Sequence, residues 1–435
     1  LPTVDGIIDR RCRGPRAAFL GYSQTSASAY GFTPMNRAPD ILWIVTTQWR
    51  ASACGYAGDV QARTPSLDAL AARSVNYAQA VTPHPFGPFA RAALLTGVSS
   101  PENGVRDYFD ALPASAPTIA HELGERGYAT AFFGKWGVGR RDPSWPLVGE
   151  AAAKVIVPPG ERGGFEFWEG FEGGFLLNDP WLHSTRMPTP ERFFGYQSDV
   201  ICERAARWLQ HDTGCERPRY VTVSLEAPHP PYGAPAAGIF HVSPENISLA
   251  GNVPRGGEVE KKARPELAGY YAHIEATDRA VGRLLAAAGR ETVVIFTSVH
   301  GDMHGAHGLF RKGWPHEESV RVPLLVCAPE VTPRRDDATI SLLDLPAMTL
   351  SWAAGRAWKC PADAAKISMP SVVALPHQGD RTWRGVRTAT RKLVLNDDGS
   401  PWLFFDLERD PLEQANLAGD AARAGEIEAL RATCG

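Results

Sequence analysis

The chain has 435 residues, 44% of them hydrophobic and 21% charged, with a formal net charge of −3. This is a globular composition, long enough for one large domain plus a small one, and the slight acidity excludes a general attraction to nucleic acid or to an anionic membrane. No apolar run approaches the length of a membrane helix, and residues 1–38, rich in Arg, Ser and Gly, lack the apolar core of a signal peptide. Seven scattered cysteines in no metal-type spacing point to reduced thiols, and the expected location is cytoplasmic.

In chain order, residues 41–46 (ILWIVT) are a near-continuous apolar run, as in a strand buried on both faces of a parallel sheet. Residues 64–74 follow as a helix, with Thr64 placed to cap and Pro65 at the first helical position. Residues 75–81 are strand-like, and Arg91 to Thr96 has the pattern of a helix start. A helix over 118–126, closed by Gly127, leads into a strand over 129–134. Ser198 is placed to cap a helix running to about 209. Strands are then expected over 220–225, 292–299 and 322–327, with a long helix over 266–288. Two Gly/Pro-rich insertions, 140–195 and 233–265, read as loops that shape a cleft. Past residue 365 the pattern changes: 383–395 and 401–407 are strand-like and meet at Asn396-Asp-Asp-Gly399, a hairpin turn.

Strands alternating with helices predict an α/β fold with a mostly parallel central sheet flanked by helices, followed by a small C-terminal antiparallel-sheet domain. The boundaries expected are an N-terminal extension over 1–38, the α/β domain over 39–365 and the small domain over 366–435. Ligands of such sheets sit beyond the carboxyl ends of the strands, so the loops after residues 46, 81, 134, 225 and 299 are the places for chemistry.

Eight stretches fall in those loops or frame them: 39–51 (PDILWIVTTQWRA), 64–80, 90–97 (ARAALLTG), 127–139 (GYATAFFGKWGVG), 227–232 (APHPPY), 297–309 (TSVHGDMHGAHGL), 312–326 and 404–420. Together, and in this order, they resemble the sulfatase branch of the alkaline-phosphatase superfamily, over roughly residues 39–435. The resemblance implies a divalent cation, usually calcium, held by two adjacent acids after the first strand and by a third acid with a neighbouring Asn or His. It also implies a Cys or Ser nucleophile, converted to formylglycine, one turn before a helix Arg. Set on this chain, the adjacent acids fall at Thr47 and Gln48, the third acid at Val299, the nucleophile at Gly87 and a further His at Gly137. Each of the five departs, and no hydroxyl or thiol stands between Thr82 and Thr96 to replace the nucleophile.

The cationic half of the pattern is kept. Arg91, Lys135, His229, His300 and Lys312 stand where the family places side chains that contact the anion and the nucleophile. Bland readings stay open for each: Arg91 bonding loop carbonyls, Lys135 solvated, His229 packed in a Pro-rich turn, His300 and Lys312 paired with Asp302 and Glu317. His84 and His304 stand where other residues are usual, and either could join His300 in an acid/base pair or a transition-metal site. His307 follows the family pattern. Cys54 is a weak candidate nucleophile, with nothing near it in sequence to lower its pKa.

Losing three carboxylates together with a divalent ion changes the local charge by one unit. Losing either alone would strand several buried charges, each costing on the order of several kcal/mol. The expectation is therefore a metal-independent enzyme with no cofactor. Its catalytic residues would be His229, His300, Lys135 and Arg91. Its substrate, an anionic small molecule, would lie against Lys135, Lys312, Arg91, His229, His84, His304, Thr47 and Gln48. The alternatives are a non-catalytic pseudoenzyme that binds an anion or a protein partner, and an atypical sulfatase or phosphonate-ester hydrolase. Neither nucleic acid nor membrane is an expected partner, and self-association is left open.

Overall fold

The run ILWIVT forms the central strand β1 (Ile41–Thr46), every residue buried, with parallel neighbours on both sides. In chain order there follow α1 (Pro65–Ala71), β2 (Val75–Val81), α2 (Gly87–Thr96), α3 (Ile119–Glu125), β3 (Ala129–Lys135), α4 (Glu150–Ala153), β4 (Phe167–Phe171), β5 (Trp181–Ser184) and β6 (Glu191–Arg192). Next come α5 (Gln197–His211), β7 (Arg219–Ser224), α6 (Glu258–Ala287), β8 (Val293–Ser298), α7 (Glu317–Val320), β9 (Leu324–Cys327), β10 (Arg334–Ser341) and α8 (Leu345–Ala353). The C-terminal part holds β11 (Ala364–Met369), β12 (Trp383–Thr388), β13 (Arg391–Leu395), β14 (Pro401–Asp406) and α9 (Ala424–Cys434). The structure is a computed structural model, and it describes residues 38–211, 216–329, 331–356, 358–360, 363–373 and 375–434. The extension expected over 1–38 lies, but for residue 38, outside the described residues.

The large sheet has ten strands in the order β10-β2-β9-β8-β1-β7-β3-β4-β5-β6. Strands β1, β7, β8, β3 and β4 run parallel to one another, and β2 pairs in parallel with β10. Antiparallel β9 sits between β2 and β8, and β5 turns back against β4. Strands β11 to β14 form a separate four-stranded antiparallel sheet. The fold is thus the expected mostly parallel sheet with flanking helices and a small antiparallel unit. No helix among the described residues is long and apolar enough to cross a membrane.

Several local expectations need correction. Helix α6 begins at Glu258, eight residues before the expected start, and runs through Pro265. Proline forfeits one backbone hydrogen bond, but the buried stripe Leu267, Tyr270, Tyr271, Ile274, Val281 and Leu284 holds the helix in place, and packing outweighs propensity. Insertion 140–195 is not all loop; β4 and β5 extend the sheet there. Thr64 makes no cap: its hydroxyl donates to Asp68 Oδ1 at 2.9 Å and accepts from the Gly55 amide at 2.8 Å. Ser198 is the second residue of α5, its hydroxyl 3.2 Å from that of Thr277 on α6. The run 383–395 is two strands, because Thr388 Oγ1 accepts from the Arg391 amide at 3.0 Å and turns the chain between them.

Candidate active site

The carboxyl ends of β1, β2, β3, β7 and β8 lie along one edge of the sheet, and a cavity of about 770 Å³ opens there. Thr47 follows β1, Arg91 comes from the second turn of α2, Lys135 ends β3, His229 follows β7, and His300 follows β8. Lys312 reaches in from the loop before α7. All six line the cavity.

Helix α2 starts without a side-chain cap, at Phe86 in extended conformation, and ends on Gly97 in the left-handed region. It carries Arg91 inward, only 5% exposed. One guanidinium nitrogen donates to Ser224 Oγ at 2.6 Å and to the Lys135 carbonyl at 3.2 Å; the other donates to Thr47 Oγ1 at 2.7 Å. Its Nε has no partner. Burial lowers the Arg91 pKa to about 10. The Thr47 hydroxyl in turn donates a hydrogen bond to the Leu225 carbonyl at 2.8 Å.

Lys135 is paired. Its Nζ lies 2.7 Å from Glu226 Oε1, which stands at the end of β7 with no exposure, and burial still pulls the lysine below its ordinary value. Lys312, 7% exposed, has no such partner. Its Nζ donates to Gln48 Oε1 at 2.5 Å and lies 3.0 Å from His229 Nε2. Burial, then the neighbouring Lys135 charge, lower the Lys312 pKa to about 7. Gln48 is oriented from behind: its Nε2 donates to Asp302 Oδ2 at 2.5 Å, and the Tyr232 hydroxyl donates to the same oxygen. Burial pushes the Asp302 carboxyl up, but His304, Arg311 and the hydrogen bond from Tyr232 outweigh it and hold it below the ordinary range.

His229 Nδ1 bonds the Pro230 carbonyl at 2.8 Å, which leaves Nε2 as the acceptor facing Lys312. Burial and the Lys312 charge push its pKa well down. His300 likewise spends Nδ1 on the Gly301 carbonyl at 2.8 Å, and its buried Nε2 has no partner. Phe175 stacks on His229, centroids 4.7 Å apart, with the Lys135 ammonium 4.7 Å from its ring centroid. Gln48, Phe175, His304 and Arg311 all hold positive φ, between 46° and 66°. Such sparsely populated backbone gathers where the surrounding structure dictates a side chain's position.

Three expected residues do not border the cavity: His84, His304 and Gln48. His84 is fully occupied, Nδ1 3.1 Å from the Ser368 carbonyl and Nε2 accepting from the Ser100 amide at 2.9 Å. His304 lies behind Gln48, against the rings of Tyr232 and Tyr270. Gln48 touches the site through Lys312 and does not border the cavity. Neither His300 nor Lys312 pairs with Glu317, which serves Arg387 and Lys392. Cys54 is buried, and burial raises its thiol to about 12, the opposite of a reactive cysteine. The sequence reading missed Glu226, Glu172 (2.6 Å from Arg141) and Phe175. The first had a signal, a lone carboxylate at the end of a buried strand, two residues before a Pro-His pair.

At Gly87 an added Cβ would meet nothing within 4 Å, so the position given to the nucleophile has room for a side chain. At Gly137, with φ +66°, a Cβ would lie 2.8 Å from Arg91 Cδ, so the His given to that position conflicts with Arg91 as placed here.

Comparison with known proteins places the chain in a family and a fold. The chain is 31% identical to an ulvan-active sulfatase of Formosa agariphila, over 88% of this chain and 77% of that one. Its fold matches the putative sulfatase yidJ of Bacteroides fragilis with a TM-score of 0.79 at 22% identity, covering 94% of this chain and 96% of that one. It also matches the phosphonate monoester hydrolase of Agrobacterium radiobacter, with a TM-score of 0.69 at 21% identity, covering 91% and 96% respectively. The family model named Sulfatase matches residues 39–355, and the chain belongs to the sulfatase family.

Proposed function

We propose that this chain is an enzyme that acts on an anionic small molecule without a bound metal and without formylglycine, with Lys312 as its cationic centre. The observation that carries the reading is that Arg91 and Lys312, both buried, have only neutral hydrogen-bond partners and border the same cavity. Glu226, Glu172 and Asp302 lie near enough to favour these charges, but among the described residues no carboxylate touches either cation, and an oxyanion in the cavity would offset the cost of their burial with charge-assisted hydrogen bonds.

The donor set around Thr47, Gln48, Val299 and His300 does not fit calcium, which takes about six to eight oxygens. Thr47 Oγ1 serves Arg91 and Leu225, Gln48 Oε1 holds the Lys312 ammonium, and Val299 offers no side-chain donor. What remains is a nitrogen of His300. On this reading Arg91 and Lys135 orient the anion, Glu226 fixes Lys135, and Lys312 with His229 handles the proton. A lysine titrating near neutrality is poised to give or take one with the substrate, and the neutral imidazole of His229, 3.0 Å away and itself a poor base, accepts its hydrogen bond and orients it.

The test is turnover of a panel of sulfate and phosphonate monoesters in chelator-treated buffer, with elemental analysis of the purified protein. Expected is turnover that survives the chelator and falls on the order of 10²–10⁴-fold in Lys312→Met. A stoichiometric divalent ion on which turnover depends overturns the proposal. The second reading, a non-catalytic anion binder, is favoured by the bare Gly87; it predicts that Lys312→Met loses binding while no ester is consumed by either protein.

A further inference from the structure

The cations of the site just described gather at the strand ends. Thr47, Arg91, Lys135, His229, His300 and Lys312 cluster at the strand ends, yet the cavity's 770 Å³ is the size of a pocket for a whole small molecule, far larger than an oxyanion. Its remaining wall is mainly apolar. Phe86 and Tyr108 line it, and the insertion after β3 supplies Trp145, Leu147, Val148 and Val155. Arg141, which also borders the cavity, is engaged by Glu172 at 2.6 Å and by the Tyr108 carbonyl at 2.8 Å. Glu172 itself, Arg140, Asp142, Arg311 and Gln378 are the other charged or amide side chains on the wall, and Arg311 is held by Glu266.

We infer that the ligand is an amphiphilic anion, with an oxyanion head at Arg91, Lys135 and Lys312 and an apolar, unhydroxylated body against Trp145, Leu147, Val148 and Phe175. Phe175 brings apolar surface up to the charged end. Its ring covers His229 and Lys135 on the charged side, and its backbone, at φ +54°, is held in a conformation that a phenylalanine rarely adopts. A polyhydroxylated body such as a sugar would turn its hydroxyls toward Trp145, Leu147, Val148 and Val155, whose aliphatic and ring surfaces give little to replace lost water. An alkyl or aryl body gains from the same contact in proportion to the area it buries. At the mouth, Trp145 is 57% and Val148 65% exposed in the unliganded chain, apolar surface that such a body would cover.

This inference rests on the anion-binding reading above, and its test separates the two. Titration calorimetry on the full chain compares inorganic sulfate, glucose 6-sulfate, and a series of alkyl sulfonates from methyl to hexyl. The sulfonates hold the head through a carbon–sulfur bond, so binding is read without turnover. Expected is an affinity that rises about three- to fourfold per added methylene, with hexyl sulfonate at least about tenfold tighter than glucose 6-sulfate. In Trp145→Ser/Leu147→Ser, changes at the cavity mouth, the gain per methylene shrinks. If all the anions bind wild type equally, or the sugar sulfate binds tighter, the apolar chamber is refuted while the anion site stands. If no anion binds, both readings fall. If hexanol binds as tightly as hexyl sulfonate, the charged head is refuted.

Discussion

Lys312 is a buried amine whose pKa of about 7 puts its charge change inside the working range of pH. An anion favours the protonated form, so the sign is fixed: affinity is greatest below about pH 7 and weakens above it, by up to about tenfold per pH unit. Calorimetry with inorganic sulfate at pH 6, 7 and 8.5 reads this directly, and Lys312→Met flattens the profile while weakening binding at pH 6 by roughly 1.5–3 kcal/mol. An unchanged profile in the variant would assign the titration elsewhere. Two glycines of the same site predict opposite outcomes. Gly87→Ala meets open space at the first position of α2 and leaves stability unchanged or raises it by about 0.4–1 kcal/mol. Gly137→Ala forces a Cβ into the left-handed region against Arg91, and costs on the order of 1–3 kcal/mol in urea unfolding, with weakened anion binding.

Elements are where sequence reading succeeds or fails for reasons that can be named. Strand β1 was legible because a strand buried on both faces has no polar alternation to blur it. Helix α3 was legible from its ends, and its capping box is real: Thr118 Oγ1 accepts from the His121 amide and the His121 ring accepts from the Thr118 amide. Thr118→Ala should therefore lower stability by about 1 kcal/mol, measured by chemical denaturation; no loss would mean that the bond from Thr118 Oγ1 to the Gly163 carbonyl, at 2.6 Å, is as dispensable as the cap. The start of α6 was hidden behind Pro265, and β10 behind a charged run, Arg334-Arg-Asp-Asp337, whose burial comes only at its far end. Within the site, the residue types and their loops could be read from the sequence, since ligands of such sheets gather at strand ends. Their pairing could not. Nothing in sequence says that Lys135 meets Glu226 ninety-one positions away while Lys312 meets only Gln48 and His229.

At the scale of the whole molecule, the fold buries imidazoles. His84, His183 and His273 are each pushed down to about 4, by burial first. A folded pKa below the unfolded value means that the unfolded chain binds more protons between the two, so stability is lost as pH falls from about 6.5 toward 4. Glu413 and Asp344, raised to about 7 and about 6 by burial, act in the opposite direction over part of that window. They are outnumbered, because His229, His300 and His316 are also pushed well below the ordinary value. Several kcal/mol should be lost between pH 7 and pH 5, a large share of the margin of a typical protein. Urea midpoints at those two pH values test this, and equal midpoints would contradict it.

The C-terminal part grips the site's loops through bonds to their backbone carbonyls. The Gly379 amide donates to the Lys312 carbonyl at 2.9 Å, the Ser368 amide to the Pro83 carbonyl at 2.8 Å, and the Trp383 indole to the Gly313 carbonyl at 2.9 Å. The loop carrying Lys312 and the turn before α2 are thus held by residues made more than fifty positions later. The loop of Lys312 is therefore tied from two sides, by Gly379 and Trp383 from the C-terminal part and by the Pro85 carbonyl, which accepts from the Gly313 amide at 2.9 Å, so that a molecule clipped before residue 364 is expected to keep Lys312 beside Gln48 and His229 while losing half of its loop's anchorage.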